Sequence, residues 1–391
     1  PPSTALILSL LTFAAGFIAR PIGGIIFGHF GDKIGRKKTL ISALMLMGIS
    51  STLIGLLPTY AMIGVAAPIL LTLLRFAQGL AIGGQWGGAM LLVTESAPSN
   101  QRGYYGAFAQ AGAPIGVILA NLALIITSAL VSEEFFNTWG WRIPFLASAV
   151  LIVISMYIQL NLEDTKAFKE LAVQKNKQQG DVETVIQRSP IIEAIRKYPK
   201  RIILAAGAFL SVQVTFYILI AFLLAYGVQS VNMARDDMLA AVLIASAIMV
   251  PMQFVFSSYS DRHGRRGIFM LGAVLSGLWA FAIFPLVDTG NFLLIVLAIS
   301  GGLIFLAMMY GPQAAFFTEL FSTEVRYSGA TLGYQFGAII GGAFAPTIAV
   351  KLWTELDIFW VSVYIAFAAL LTLLSVMALT ETYQSDLNKT Q

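Results

Sequence analysis

Apolar runs follow one another along this chain, separated by short polar breaks. A bilayer core about 30 Å thick needs ~20 apolar residues per helix, because backbone groups left unpaired in hydrocarbon are costly. The pattern predicts helical spans near 5–30, 39–57, 66–93, 103–131 and 143–160. A polar stretch occupies 161–200. Further spans follow at 202–228, 238–258, 267–286, 291–316, 327–350 and 358–379. The expected class is an all-α membrane protein with eleven spans, five before the polar stretch and six after it.

Composition agrees. Of the 391 residues, 58% are hydrophobic and 11% are charged, against roughly 25% charged in soluble domains. The net charge of +4 does not point to nucleic acid, because basic residues in membrane chains set orientation. Nineteen of the 24 Lys and Arg fall on one side when the spans alternate from Lys33, Arg36, Lys37 and Lys38. They include Arg102, Arg262, Arg265, Arg266, Arg326, Lys389 and nine residues of the central stretch, Arg188 among them. The opposite side holds only Arg142, Arg235 and Lys351. That asymmetry puts the rich side, the central stretch and Gln391 in the cytoplasm and Pro1 outside. Cysteine is absent and the two histidines, His29 and His263, lie far apart. No disulfide, metal site or cofactor is expected.

The chain repeats itself. Gly28–Lys38 contains Asp32-Lys-Ile-Gly35-Arg36-Lys, and Ser257–Arg266 contains Asp261-Arg-His-Gly264-Arg265-Arg. Each reads Asp-x-x-Gly-Arg-[Lys/Arg] in a tight loop between two spans. Glu95 and Arg102 recur as Glu319 and Arg326, again seven residues apart. Two bundles with shared landmarks imply duplicated architecture, frequent among transporters. The bundles are expected at 1–160 and 201–391, joined by a linker at 161–200. The second landmark loop follows two spans and the first follows only one, so this chain is expected to begin after a missing first helix. Asp32, Arg36, Glu95, Arg102, Asp261, Arg265, Glu319 and Arg326 are expected to form a conformational latch.

These residues carry a resemblance. Gly28–Lys38 and Arg75-Phe-Ala-Gln78-Gly79 resemble signatures of the major facilitator superfamily. Arg20-Pro-Ile-Gly-Gly, Gly83-Gly-Gln-Trp-Gly-Gly-Ala89, Glu95-Ser-Ala-Pro98, Trp139-Gly-Trp-Arg-Ile-Pro-Phe145, Thr318-Glu-Leu-Phe321 and Val325-Arg-Tyr-Ser-Gly-Ala330 are similar to its metabolite:proton symporter family, in the shikimate-permease-like branch. The resemblance covers essentially the whole chain. It implies two pseudo-symmetric six-helix bundles, the bacterial inner membrane, and uptake of small organic acids or zwitterions with protons by alternating access. The implied partners are a small carboxylate or zwitterion, protons and the lipid bilayer, with a monomer as the working unit. Relatives carry Gly-Gly-Glu-Trp where this chain has Gly83-Gly84-Gln85-Trp86, which keeps a passive facilitator or channel as the alternative. No Ser-His-Asp set, His-Glu-x-x-His or phosphate loop suggests an enzyme.

Ionisable groups inside spans are costly and serve function. Arg20 lies twelve residues before Asp32, about 18 Å along a helix, near mid-membrane. Arg75 is similarly deep. Arg20 and Arg75 are expected to bind a substrate carboxylate or to tune a proton-carrying acid. Helical spacing lines up Arg75, Gln78, Ile82, Gln85, Trp86 and Ala89 on one face. Gln110, Asn121, Gln213, Tyr217, Tyr310, Gln313, Tyr334 and Gln335 are further candidates for the cavity wall. Pro312 and Gly311 are expected to break their helix and open its backbone to a ligand.

Overall fold

The computed structural model describes residues 2–178 and 189–387. The expectations placed on Pro1, Arg188, Lys389 and Gln391 lie outside the described residues. Eleven helices among them are long and apolar enough to cross a membrane. Five are α1 (Pro2–Ile34), α2 (Arg36–Leu56), α3 (Ala66–Ser96), α4 (Arg102–Leu130) and α5 (Glu133–Asn161). Two short helices follow, α6 (Lys166–Gln178) and α7 (Pro190–Lys197). The second set is α8 (Pro199–Gln229), α9 (Arg235–His263), α10 (Arg265–Asp288), α11 (Phe292–Glu319), α12 (Arg326–Glu355) and α13 (Ile358–Ala378). Large side chains such as Leu130 and Leu160 stay about four-fifths exposed, as expected where the solvent is lipid.

Three boundaries differ from the hydropathy reading. Helix α1 runs to Ile34 and takes Asp32 into its last turn, so the landmark loop shrinks to Gly35. Gly35 has φ 113°, and its counterpart Gly264, between α9 and α10, has φ 102°. Only glycine adopts that conformation without strain. Helix α5 starts at Glu133 rather than 143. The Ser132 hydroxyl caps it by accepting from Phe135 N at 3.2 Å, a signal that the apolar count passes over. Helix α11 continues through Pro312, so the expected break is corrected. Proline deletes one helix bond, and the helix continues past it among buried neighbours. The irregular turns lie elsewhere, as π-type turns at Phe136–Gly140 in α5, Ile218–Phe222 in α8 and Ile339–Ala343 in α12.

Glycines set how closely α1 and α3 cross. A methyl group on Gly79 would strike the Gly16 carbonyl, and one on Gly83 would strike the Arg20 carbonyl. Lipid supplies no hydrophobic drive between helices, so such close backbone contact is what holds them. Gly112, at the start of the upper part of α4, faces open space instead. Gly79→Val is expected to destabilise the protein by about 1–3 kcal/mol, read as a lower unfolding midpoint in detergent. Gly112→Ala should not lower that midpoint.

Candidate solute site and its charged end

The repeat landmarks meet at one end of the bundle, where α1 and α2 join. Asp32 Oδ1 accepts from Arg36 Nη1 at 3.2 Å, and Arg36 Nη2 donates to Glu95 Oε1 at 3.2 Å. The fourth member comes from the other half of the chain. Arg326 Nη1 donates to the same Glu95 oxygen at 3.2 Å. A second cluster mirrors the first. Arg265 donates to Asp261 at 2.7 Å and to Glu319 at 2.8 Å, while Arg102 of the first half approaches Glu319 at 3.6 Å. Each cluster thus takes an aspartate, an arginine and a glutamate from one half and its last arginine from the other. Except for a slight exposure of Asp261, Arg102 and Arg326, these side chains are removed from solvent.

The aspartates also cap helices of the opposite half. Asp32 accepts from Tyr327 N at 3.3 Å and from Ser328 N at 3.1 Å, in the first turn of α12. Asp261 accepts from Gly103 N at 2.7 Å and Tyr104 N at 2.9 Å, in the first turn of α4. First-turn N–H groups lack intrahelical partners, and the helix dipole favours an anion there. Within each half a further acid caps the next helix. Asp164 accepts from Arg36 N at 2.9 Å, and Glu381 accepts from Arg265 N at 2.8 Å. Asp164 and Glu381 were missed from sequence. The signal was available, since Asp164-Thr165 and Glu381-Thr382 both follow the last span of their half.

Above the charged end, contacts between the halves continue. Thr94 Oγ1 lies 3.1 Å from Thr318 Oγ1, and the Tyr327 hydroxyl donates to the Gly84 carbonyl. Trp86 stacks on Tyr334 at 3.8 Å, and Tyr334 stacks on Phe209 at 4.1 Å. Trp86 Nε1 donates to Gln110 Oε1 at 2.6 Å, and Gln110 Nε2 donates to the Tyr310 carbonyl at 2.8 Å. Gln110 is therefore spent on joining α3, α4 and α11.

Beyond this layer lies a cavity of about 160 Å³ between the halves. Its wall contains Arg20, Ile82, Phe209, Gln213, Phe216, Tyr217, Tyr310 and Tyr334. The Arg20 guanidinium sits 3.8 Å over the Phe17 ring, and its Nη2 is 3.4 Å from the Tyr217 hydroxyl. Arg20 forms no ion pair among the described residues, and its buried Nε lacks a hydrogen-bond partner there. The Gln213 Oε1 is also buried without one. The two π-type turns of the second half adjoin this wall. Gly342 packs against Gln213, Tyr217 and Phe17, and Tyr217 directly precedes the turn in α8. Such turns recur at functional sites because they free backbone and re-aim side chains.

The remaining candidates fall elsewhere. Arg75 lies 3.4 Å from Gln78, whose amide donates to Ser51 on α2 at 2.8 Å. Arg75 borders a separate concavity with Tyr60, Trp141 and Phe145. The polar face of α3 therefore splits along its length: Ile82 reaches the central cavity, whereas Arg75 and Gln78 turn to α2. Gln85 is half-buried and does not line this cavity. Gln313 and Gln335 are fully buried, with amides that find no partner among the described residues. Asn121 donates to the Leu239 carbonyl at 3.4 Å, bridging α4 and α9. Trp353 packs 5.2 Å from Tyr226 inside the second half.

A two-bundle helical scaffold with exchanged charge clusters and a central cavity is that of a membrane transporter. The sequence profile of the Major Facilitator Superfamily matches residues 3–334, and the chain belongs to that superfamily. It is 40% identical to the inner membrane metabolite transport protein YhjE of Escherichia coli K12, over 99% of this chain and 87% of YhjE. It is 35% identical to the shikimate transporter of the same organism, over 98% and 87% of the two chains, and 34% identical to its proline/betaine transporter, over 90% and 70%. The proton:xylose symporter XylE has the same fold, with a TM-score of 0.77 at 17% identity over 99% of this chain and 89% of that one. The superfamily and these relatives are membrane transporters, not enzymes.

Removing Glu95 would leave Arg36 and Arg326 buried side by side without their shared carboxylate. Breaking a buried pair in this way costs about 3–5 kcal/mol. Glu95→Gln is expected to open the charged end. In the cysteine-free chain, a single Thr318→Cys reporter, buried at that layer, should then react with maleimide at least tenfold faster. An unchanged labelling rate would show that the cluster does not hold this end closed.

Proposed function

We propose that the chain is a secondary active transporter that takes up a small organic acid or zwitterion together with protons by alternating access. The observation that carries this is Arg20, an arginine with no carboxylate partner among the described residues, in the wall of a small aromatic cavity between two halves. A guanidinium presents paired donors that match a carboxylate. The surrounding Tyr217, Tyr310 and Tyr334 offer hydroxyls and ring faces to the rest of a solute. The names of the relatives support the solute class: a metabolite, shikimate, and proline or betaine. Proton coupling draws support from the likeness to XylE and from the motifs shared with proton symporters.

In this reading the charged end is cytoplasmic, as the excess of Lys and Arg requires, in a bacterial inner membrane. The clusters at Glu95 and Glu319 act as the latch, and their paired arrangement is its closed state. The halves act as units about 1–160 and 201–391. When they rock apart, Asp32 and Asp261 leave the helices that they cap, and the cavity opens to the cytoplasm. Gln78, Gln85, Trp86, Gln110, Gln313 and Gln335 act around the site as wall or packing groups in other states of the cycle, and Arg75 in the first bundle tunes the proton step.

Uptake into proteoliposomes tests this. Labelled shikimate and glycine betaine are offered with and without an inward proton gradient. The expected result is accumulation of a carboxylate that the gradient stimulates. Loss of a charge-assisted hydrogen bond, about 1.5–3 kcal/mol, predicts that Arg20→Gln weakens solute binding about tenfold or more. Uptake indifferent to the gradient would instead make the protein a passive facilitator, and normal uptake by both Arg20→Gln and Arg20→Lys would remove Arg20 from the site.

A further inference from the structure

The linker helix α7 has an apolar arc wider than its seat. Its residues Pro190, Ile191 and Ala194 are buried, and the helix packs against both α1 and α12. It therefore lies across the seam between the halves, pinned at its start by Ser189, whose hydroxyl is 3.0 Å from His29 Nδ1. At 100° per residue, Ile195 and Ile192 continue the apolar arc from Ile191 around one flank. That flank is uncovered: Ile192 is 60% and Ile195 49% exposed. Arg196 borders it, and Lys200 follows one turn later, both exposed. The neighbouring Arg201 is already engaged, donating to the Leu320 carbonyl at 2.6 Å.

The position of α7 decides what covers this flank. Only Tyr198 separates α7 from Pro199, the first residue of the spanning helix α8. The helix is thus held at the depth where a span leaves the bilayer. An apolar flank edged by basic side chains at that depth suits acyl chains on one side and phosphates on the other. We propose that α7 is an interfacial anchor that docks on anionic phospholipid, with Ile192 and Ile195 entering the acyl boundary and Arg196 and Lys200 pairing with headgroup phosphates. Each basic residue near an anionic surface adds attraction that falls off within a Debye length. Seated across α1 and α12, the anchor ties the linker to the membrane at the seam of the two halves. This goes beyond the transport reading and does not depend on the solute.

The chain contains no cysteine, which permits a direct labelling test in nanodiscs. A polarity-sensitive fluorophore is placed at Ile192→Cys, and separately at Ile195→Cys, in phosphatidylcholine with or without phosphatidylglycerol. The expected result is blue-shifted emission, quenched several-fold more strongly by nitroxide-labelled lipid than by aqueous iodide. Phosphatidylglycerol should strengthen the lipid quenching. Adding Arg196→Gln and Lys200→Gln should abolish that strengthening without moving the unfolding midpoint. A label that iodide quenches like free dye would mean that the flank faces water or a protein partner, and would overturn the proposal. Lipid quenching that ignores phosphatidylglycerol, or that survives the double substitution unchanged, would overturn it too. None of these readouts requires transport, so failure here leaves the transport reading standing, and the reverse holds as well.

Discussion

Asp32 and Asp261 each hold the first turn of a helix from the opposite half of the molecule, and the closed end depends on that exchange. The capped helices are α12 and α4. The arginines that open those helices, Arg326 and Arg102, reach back into the cluster of the half that supplied the cap. One geometric relation therefore sets two things, the docking of the halves and the pairing of the buried charges. The relation is reciprocal because the chain is duplicated, and a duplicated pair of bundles can meet face to face with the same contact made twice.

Buried charge is a poor way to gain stability. Desolvation costs several kcal/mol per ion, and well-packed apolar residues often do as well or better. Its value here lies in balance. In the proposed cycle, pairing and capping offset desolvation while the end is closed, and hydration offsets the loss of pairing once it opens. An apolar seam of the same size would expose hydrophobic surface to water on opening and would favour the closed state far more strongly. The aromatic layer above, with Trp86 against Tyr334 and Phe209, adds contact area next to the cavity. Arg20 sits among aromatic rings with no ion pair among the described residues, its charge eased by the Phe17 face; under the proposed function that charge is what a solute meets.

Much of this was legible from sequence for simple reasons. Spans are long and periodic, so all eleven were found, and their misplaced ends fell where caps rather than hydropathy decide. Helix α5 begins at a serine cap followed by two acids, and α1 ends past a buried aspartate. Both look like loops to an apolar count. The repeat pointed to the charged residues as a set because their spacings recur. It did not say that Arg326 joins Glu95 rather than Glu319, since pairing across halves depends on how the bundles face each other. The cavity was partly legible. Arg20, Tyr217, Tyr310 and Tyr334 do converge, whereas Arg75 and Gln78 turn to α2. Helical phase fixes a direction around an axis but not which neighbour stands there at a given depth.

The amino-acid order by itself determined that the chain is a membrane protein, that it carries the eleven spans found among the described residues, that it is built twice over, and that its basic residues concentrate in alternate connections. These follow from solvent transfer and from local periodicity, which need no partner. Only the tertiary structure decided which half supplies each arginine, that Pro312 leaves its helix unbroken, that Gln110 is spent on joining helices, and that one flank of α7 stays open. Those outcomes rest on what packs against each group in space, and distant segments of the chain supply it.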